Sequence, residues 1–166
     1  RCLVGSEMCI RDRYYVGELN GRSSKQAYMD ALHISESNII NQTFHNPIGK
    51  MNGQDICIIS LKEVSGNGLC CYRQVNDSDV LVLLEEQDYN EILDETLQRI
   101  RRDFNHISGV FSINCVFRYL LFSQEHHMED YLKTMSTLGD HAGLIGFGEH
   151  YNQQFVNQTM TCVVFE

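Results

Sequence analysis

From Val110 to Phe117 the chain is almost continuously apolar and rich in β-forming residues. A run of that kind is stable only with both faces covered, so it predicts a central strand. Amphipathic helical patterns stand on either side of it. Asp88–Glu91 is a capping box opening a helix with Tyr89, Ile92, Leu93, Leu97, Ile100 and Phe104 on one face. The opposite face carries Glu91, Asp94, Glu95, Arg99, Arg102 and Asp103, which reads as a solvated surface. After the strand, Ser123 is expected to cap a second amphipathic helix with Met128, Tyr131, Leu132 and Met135, and Gly139 to end it.

The remaining segments extend the same plan. Tyr14–Leu19 reads as a strand closed by the turn pair Asn20-Gly21, and Ser23–Gln26 is a capping box for a helix that buries Ala27, Tyr28, Ala31 and Leu32. Glu36–Gln54 is polar, holds the single proline (Pro47), and is expected to be a long loop. Asp55–Val64 and Leu69–Val75 read as strands flanking a hairpin turn at Ser65–Gly68, with Val80–Glu86 as a third. Gly143–Glu149 and Asn157–Phe165 read as a final pair of strands. Together these predict an α+β fold: a single mixed, mostly antiparallel sheet of about six to seven strands, with about three helices packed mainly on one face.

The first thirteen residues do not fit this pattern. Cys2–Asp12 can be encoded by a string resembling a transposon-end sequencing adapter, so Arg1–Arg13 is expected to be a non-native tail and is set aside. Residues 14–166 are then expected to form one domain whose own beginning lies upstream. Arg1, Arg11 and Arg13 outweigh Glu7 and Asp12, so the tail carries +1 and the remainder −10 of the net −9. An acidic surface of that size argues against nucleic acid and against anionic membranes. Cys57, Cys70, Cys71, Cys115 and Cys162 lie in strand-like apolar runs, an odd number without metal-type spacing. They read as buried thiols in a reducing cytoplasm, where the glycosylation matches at Asn41, Asn76 and Asn157 are coincidental.

Strand periodicity selects the candidate site residues. Ser112 and Asn114 share one face of the central strand, and Arg118 joins them if the strand runs on. In the last strand Asn157, Thr159 and Thr161 share a face. If the two strands are neighbours, Asn114, Arg118, Asn157 and Thr159 could line one pocket, with Arg118 offering a fork suited to a carboxylate. The same groups could instead bond one another or loop backbone, as buried polar groups usually do. Gly146 and Gly148 stand where backbone could approach a ligand closely, and Glu149 could take an ammonium group or face solvent. His126, His127, His141 and His150 match no zinc spacing, and no nucleophile motif is present, so neither a metal, a cofactor nor catalysis is expected.

Taken in order, "FSINCVFRYLLF" (Phe111–Phe122), "AGLIGFGEHY" (Ala142–Tyr151) and "VNQTMTCVVF" (Val156–Phe165) resemble the C-terminal half of the FIST sensory domain. The earlier "YYVGELNGRSSKQAY" and "NPIGKMNGQDICIISL" fit its opening strand–helix and its Pro-containing loop, so the resemblance spans Tyr14–Glu166. It implies a cytoplasmic sensory module that binds a small, amino-acid-like ligand and signals to an output domain or partner protein. It also implies a missing N-terminal half of the sensor. On that reading Asn114, Arg118, Gly146, Gly148, Glu149, Asn157 and Thr159 hold the ligand, Arg118 as carboxylate clamp and Glu149 as ammonium partner. Gly146-Phe-Gly148 departs from the family's Gly-Phe-Tyr pattern. The alternative is a protein-interaction scaffold without a small ligand.

Overall fold

The computed structural model describes residues 2–4, 14–151 and 154–166, with side chains from 14 to 150 and from 155 to 166. The chain divides into two compact units, Arg1–Glu86 and Gln87–Glu166. Among the described residues no helix is long and apolar enough to cross a membrane.

The first unit contains strands β1 (Cys2–Val4), β2 (Tyr15–Val16), β3 (Glu18–Leu19), β4 (Arg22–Ser23), β5 (Ile48–Asn52), β6 (Asp55–Ile59), β7 (Leu61–Ser65), β8 (Gly68–Cys71) and β9 (Val80–Leu83). Its helices are α1 (Ser24–Leu32) and α2 (Ile39–Gln42). One antiparallel sheet has the order β1-β9-β5-β6 and another β2-β8-β7, while β3 and β4 form a hairpin. The hairpin turns on Asn20 and Gly21, both with positive φ, as a two-residue turn between right-twisted strands requires. Ser23 caps α1 by accepting from Gln26 N, the first half of the predicted capping box. Tyr28, Ile39, Ile48, Ile59, Leu61 and Leu69 form the centre of the core.

The expected single sheet of about six to seven strands does not form; the α+β chain builds several small sheets instead. The reason is visible at Ser60. Asp55–Val64, expected as one strand, breaks there: β6 pairs with β5, and β7 pairs with β8. Ile59, Ser60 and Leu61 are buried in succession, which one straight strand with a solvated face cannot achieve because its side chains alternate. Glu36–Gln54 is also more ordered than a loop. It holds a 3₁₀ turn (Glu36–Asn38), α2 and β5, anchored by the fully buried Ile39 and Ile48 in an otherwise polar stretch. Of the tail that was set aside, Cys2–Val4 pairs antiparallel along β9, and residues 5–13 lie outside the described ones.

The second unit contains α3 (Tyr89–Asp103), β10 (Gly109–Cys115), α4 (Val116–Gln124), α5 (Met128–Met135), β11 (Asp140–Gly146), β12 (Glu149–Tyr151), β13 (Gln154–Val156) and β14 (Met160–Phe165). Asp88 caps α3 by accepting from Asn90 N and Glu91 N, and Leu93, Leu97 and Ile100 are its buried stripe. β10 lies between β11, which runs parallel to it, and the antiparallel β14. One sheet face packs through Val110, Met160, Cys162 and Val164 onto Leu97, Phe122, Tyr131 and Met135. The other face carries Phe111 and Ile113 with Leu144 and Val163 by register, and the last two are about half exposed.

Two boundaries differ from expectation. β10 stops at Cys115 and α4 begins at Val116, so Ser123 lies inside α4, donating to Tyr119 O, and His127 precedes α5. The polar rows of β10 and β14 also fall on opposite faces: Ser112 pairs with Cys162 and Asn114 with Met160, while Thr161 faces Ile113.

Candidate ligand-binding site

The end of β10 sets the site. Cys115 has extended backbone and the chain turns directly into α4, which places Arg118 one helical turn beyond Asn114. Arg118 Nε donates to Asn114 Oδ1 at 3.2 Å. The amide's other end, Nδ2, donates to the Tyr131 hydroxyl at 2.8 Å. The guanidinium lies over the Phe122 ring at 4.6 Å and near the Tyr131 ring at 5.6 Å, so its plane is held by aromatic faces. Burial pulls its pKa below the usual arginine value, opposed by Tyr131 and Glu149.

Asn157 and Thr159 reach the same place from outside a strand. They lie in the bend before β14, where Cys115 N donates to Thr159 O at 3.0 Å and ties that bend to the end of β10. Thr159 Oγ1 donates to Glu149 Oε2 at 2.6 Å. Glu149 is only 4% exposed, and its second oxygen, Oε1, is buried with no hydrogen-bond partner among the described residues. Burial raises the Glu149 pKa, opposed by the Thr159 hydrogen bond and the charge of Arg118. Gly148 sits at φ 124°, and a Cβ there would come within 2.9 Å of Asn157 Oδ1 and deep into the Phe155 ring. A Cβ on Gly146 would meet only ordinary contacts, so space does not demand glycine there.

Six of the seven residues expected at the site are therefore linked: Asn114 to Arg118, Arg118 electrostatically to Glu149, Glu149 to Thr159, and Gly148 to Asn157. Gly146 lies near them at the end of β11 without a demonstrated part. The cluster gathers a fixed cation, a buried carboxylate and neutral polar groups, a donor set suited to a small polar molecule.

The expected site leaves out three neighbours, one of which, Ser112, strand periodicity places beside Asn114. Ser112 Oγ lies 2.9 Å from His141 Nε2, and the Tyr131 hydroxyl approaches it at 3.4 Å. These residues and Asn114 line a groove of about 480 Å³ beside β11. Partial burial lowers the His141 pKa. Tyr131 read as part of an apolar helical stripe. His141 is brought beside Ser112 only by the parallel pairing of β10 with β11, which leaves no local signal in the chain.

Residues 25–152 match the family model for the FIST C domain. The match covers Asn114, Arg118 and Glu149 and ends before Asn157 and Thr159. No curated protein and no solved structure matches the chain. With most of its length matched, the chain belongs to the FIST C domain family, a family of sensory domains.

Proposed function

We propose that this chain is the ligand-holding part of a cytoplasmic sensor for a small amino-acid-like molecule, read by an output domain or partner protein. The observation that carries the reading is the buried Oε1 of Glu149, which has no hydrogen-bond partner among the described residues and lies within electrostatic reach of Arg118. A buried carboxylate oxygen without a donor costs roughly 1–3 kcal/mol, so a ligand ammonium placed there would relieve a standing penalty. Arg118, with its face stacked and Nε engaged by Asn114, would meet the ligand carboxylate through its terminal nitrogens. An N-terminal half of the sensor would complete the enclosure, and binding would shift a two-state equilibrium.

The test is thermal unfolding of the whole chain against a panel of zwitterionic amino acids. A ligand at roughly a hundredfold excess over its Kd adds about 2.7 kcal/mol to stability. Arg118→Ala and Glu149→Gln are each expected to abolish the added stabilisation, measured relative to each variant's own baseline. Equal stabilisation of all three proteins would remove both residues from the site.

A second reading is favoured by the open sheet face. Leu144, Val163 and Phe165 are each about half exposed on β11 and β14, as an interaction scaffold would need. It predicts stable co-purification with a partner and no ligand response.

A further inference from the structure

The groove beside β11 is built differently from the Arg118–Glu149 cluster. Its floor is made of Ser112, Asn114 and Tyr131, which are 1%, 8% and 2% exposed and hydrogen-bond one another. The half-buried His141 stands at its side, with Nε2 on Ser112 and no bond from Nδ1 among the described residues. Met128, Leu132 and Ile145 add apolar surface. Among the described residues, none with a formal charge lines it. A Cβ on Gly143 would lie 2.6 Å from Ser112 Oγ and from Ser112 O, so a side chain there would push against the groove floor. At about 480 Å³ the groove has the size and the mix of apolar walls and convergent polar groups typical of small-molecule sites.

We propose that this groove is a second ligand site, one that takes an uncharged molecule with an apolar body and a single hydroxyl or carbonyl head. The head would meet His141 Nδ1. If Ser112 donates to Nε2, Nδ1 carries a proton and donates; if Nε2 donates to Ser112, Nδ1 accepts. One neutral imidazole thus serves an alcohol or a carbonyl. A carboxylate head would lose its hydration here with no cation among the lining residues to replace it. Unbranched Met128 can adapt its shape to the apolar body. The proposal does not rest on the amino-acid reading of the neighbouring cluster.

The test is calorimetric titration of the whole chain with β-naphthol, naphthalene and β-naphthoate. β-Naphthol is expected to bind best, naphthalene less well and β-naphthoate least. Leu132 is 46% exposed on α5, so Leu132→Glu should leave the fold intact, checked by circular dichroism, and weaken β-naphthol by roughly tenfold or more. His141→Leu should bring β-naphthol down to the affinity of naphthalene, a loss of roughly threefold to tenfold. β-Naphthoate binding as tightly as β-naphthol would overturn the proposal, as would unchanged β-naphthol affinity in Leu132→Glu. Failure of all three probes to bind would overturn it too, leaving the groove as room for a protein segment. If the probes behave as expected and no amino acid stabilises the chain, the amino-acid reading falls and this one stands.

Discussion

Thr159 Oγ1 holds one oxygen of the Glu149 carboxylate at 2.6 Å, while the other oxygen of the same group is buried without a hydrogen-bond partner among the described residues. The carboxylate is thus half satisfied. Burial outweighs the help from Thr159 and Arg118, and its pKa rises.

That shift sets a direction for stability against pH. Glu149 binds its proton more tightly in the fold than in the unfolded chain. Its contribution is therefore fully present below the usual carboxylate pKa and is lost as pH rises through the folded value. Glu149→Gln cannot ionise. It is expected to stabilise the protein by about 1 kcal/mol at about pH 8 and by little at about pH 4. Urea unfolding of both proteins at the two pH values measures this. A difference that grows toward acid would mean the carboxylate is well partnered in solution.

Gly146 and Gly148 look alike in the sequence and should respond differently. Gly148→Ala forces a side chain into φ 124° and into the Phe155 ring beside Asn157. It should cost about 2–4 kcal/mol, because the strained backbone and the clash act together. Gly146→Ala meets Gly148 O at 3.4 Å and Ile113 Cγ2 at 3.6 Å, and should change stability by about 0.5 kcal/mol or less. Denaturant midpoints of the two variants decide it. Equal costs would mean that the 146–148 segment relaxes freely.

The cysteines provide a check on thiol chemistry. Cys57, Cys71 and Cys115 are buried, and burial pushes the Cys71 thiol up to about 12, with a smaller rise from Cys70. Cys70 and Cys162 are partly accessible. Of these five, timed iodoacetamide labelling read by mass spectrometry should modify Cys70 and Cys162 first and reach Cys57, Cys71 and Cys115 only after unfolding. Labelling of Cys115 in the folded protein faster than a free thiol would reopen a catalytic reading.

Much of the local structure is legible because its causes lie within a few residues. Ser23 and Asp88 cap helices where their spacing says they should, and Asn20-Gly21 turns a hairpin through two positive φ angles. The buried stripe Leu93, Leu97 and Ile100 follows directly from helical periodicity. For the candidate site, the expected residues come together by a different construction from the one expected. Asn114, Arg118, Asn157 and Thr159 do gather, yet not as two facing polar rows. Arg118 arrives on a helix, and Thr159 arrives on a bend.

Chain chemistry by itself pointed to an α+β protein with a central strand beginning at Val110 and to Arg118 as a fork suited to a carboxylate, while the pairing of Arg118 with Glu149 came only from the family resemblance. Tertiary structure alone decided that Asp55–Val64 is shared between two sheets, that β11 runs parallel beside β10, and that His141 therefore stands against Ser112. The division has a physical cause. Caps, turns and amphipathic faces are set by contacts a few residues apart, which periodicity records. Strand partners are chosen by which distant apolar faces cover one another, and alternation along a single strand carries no mark of its neighbour.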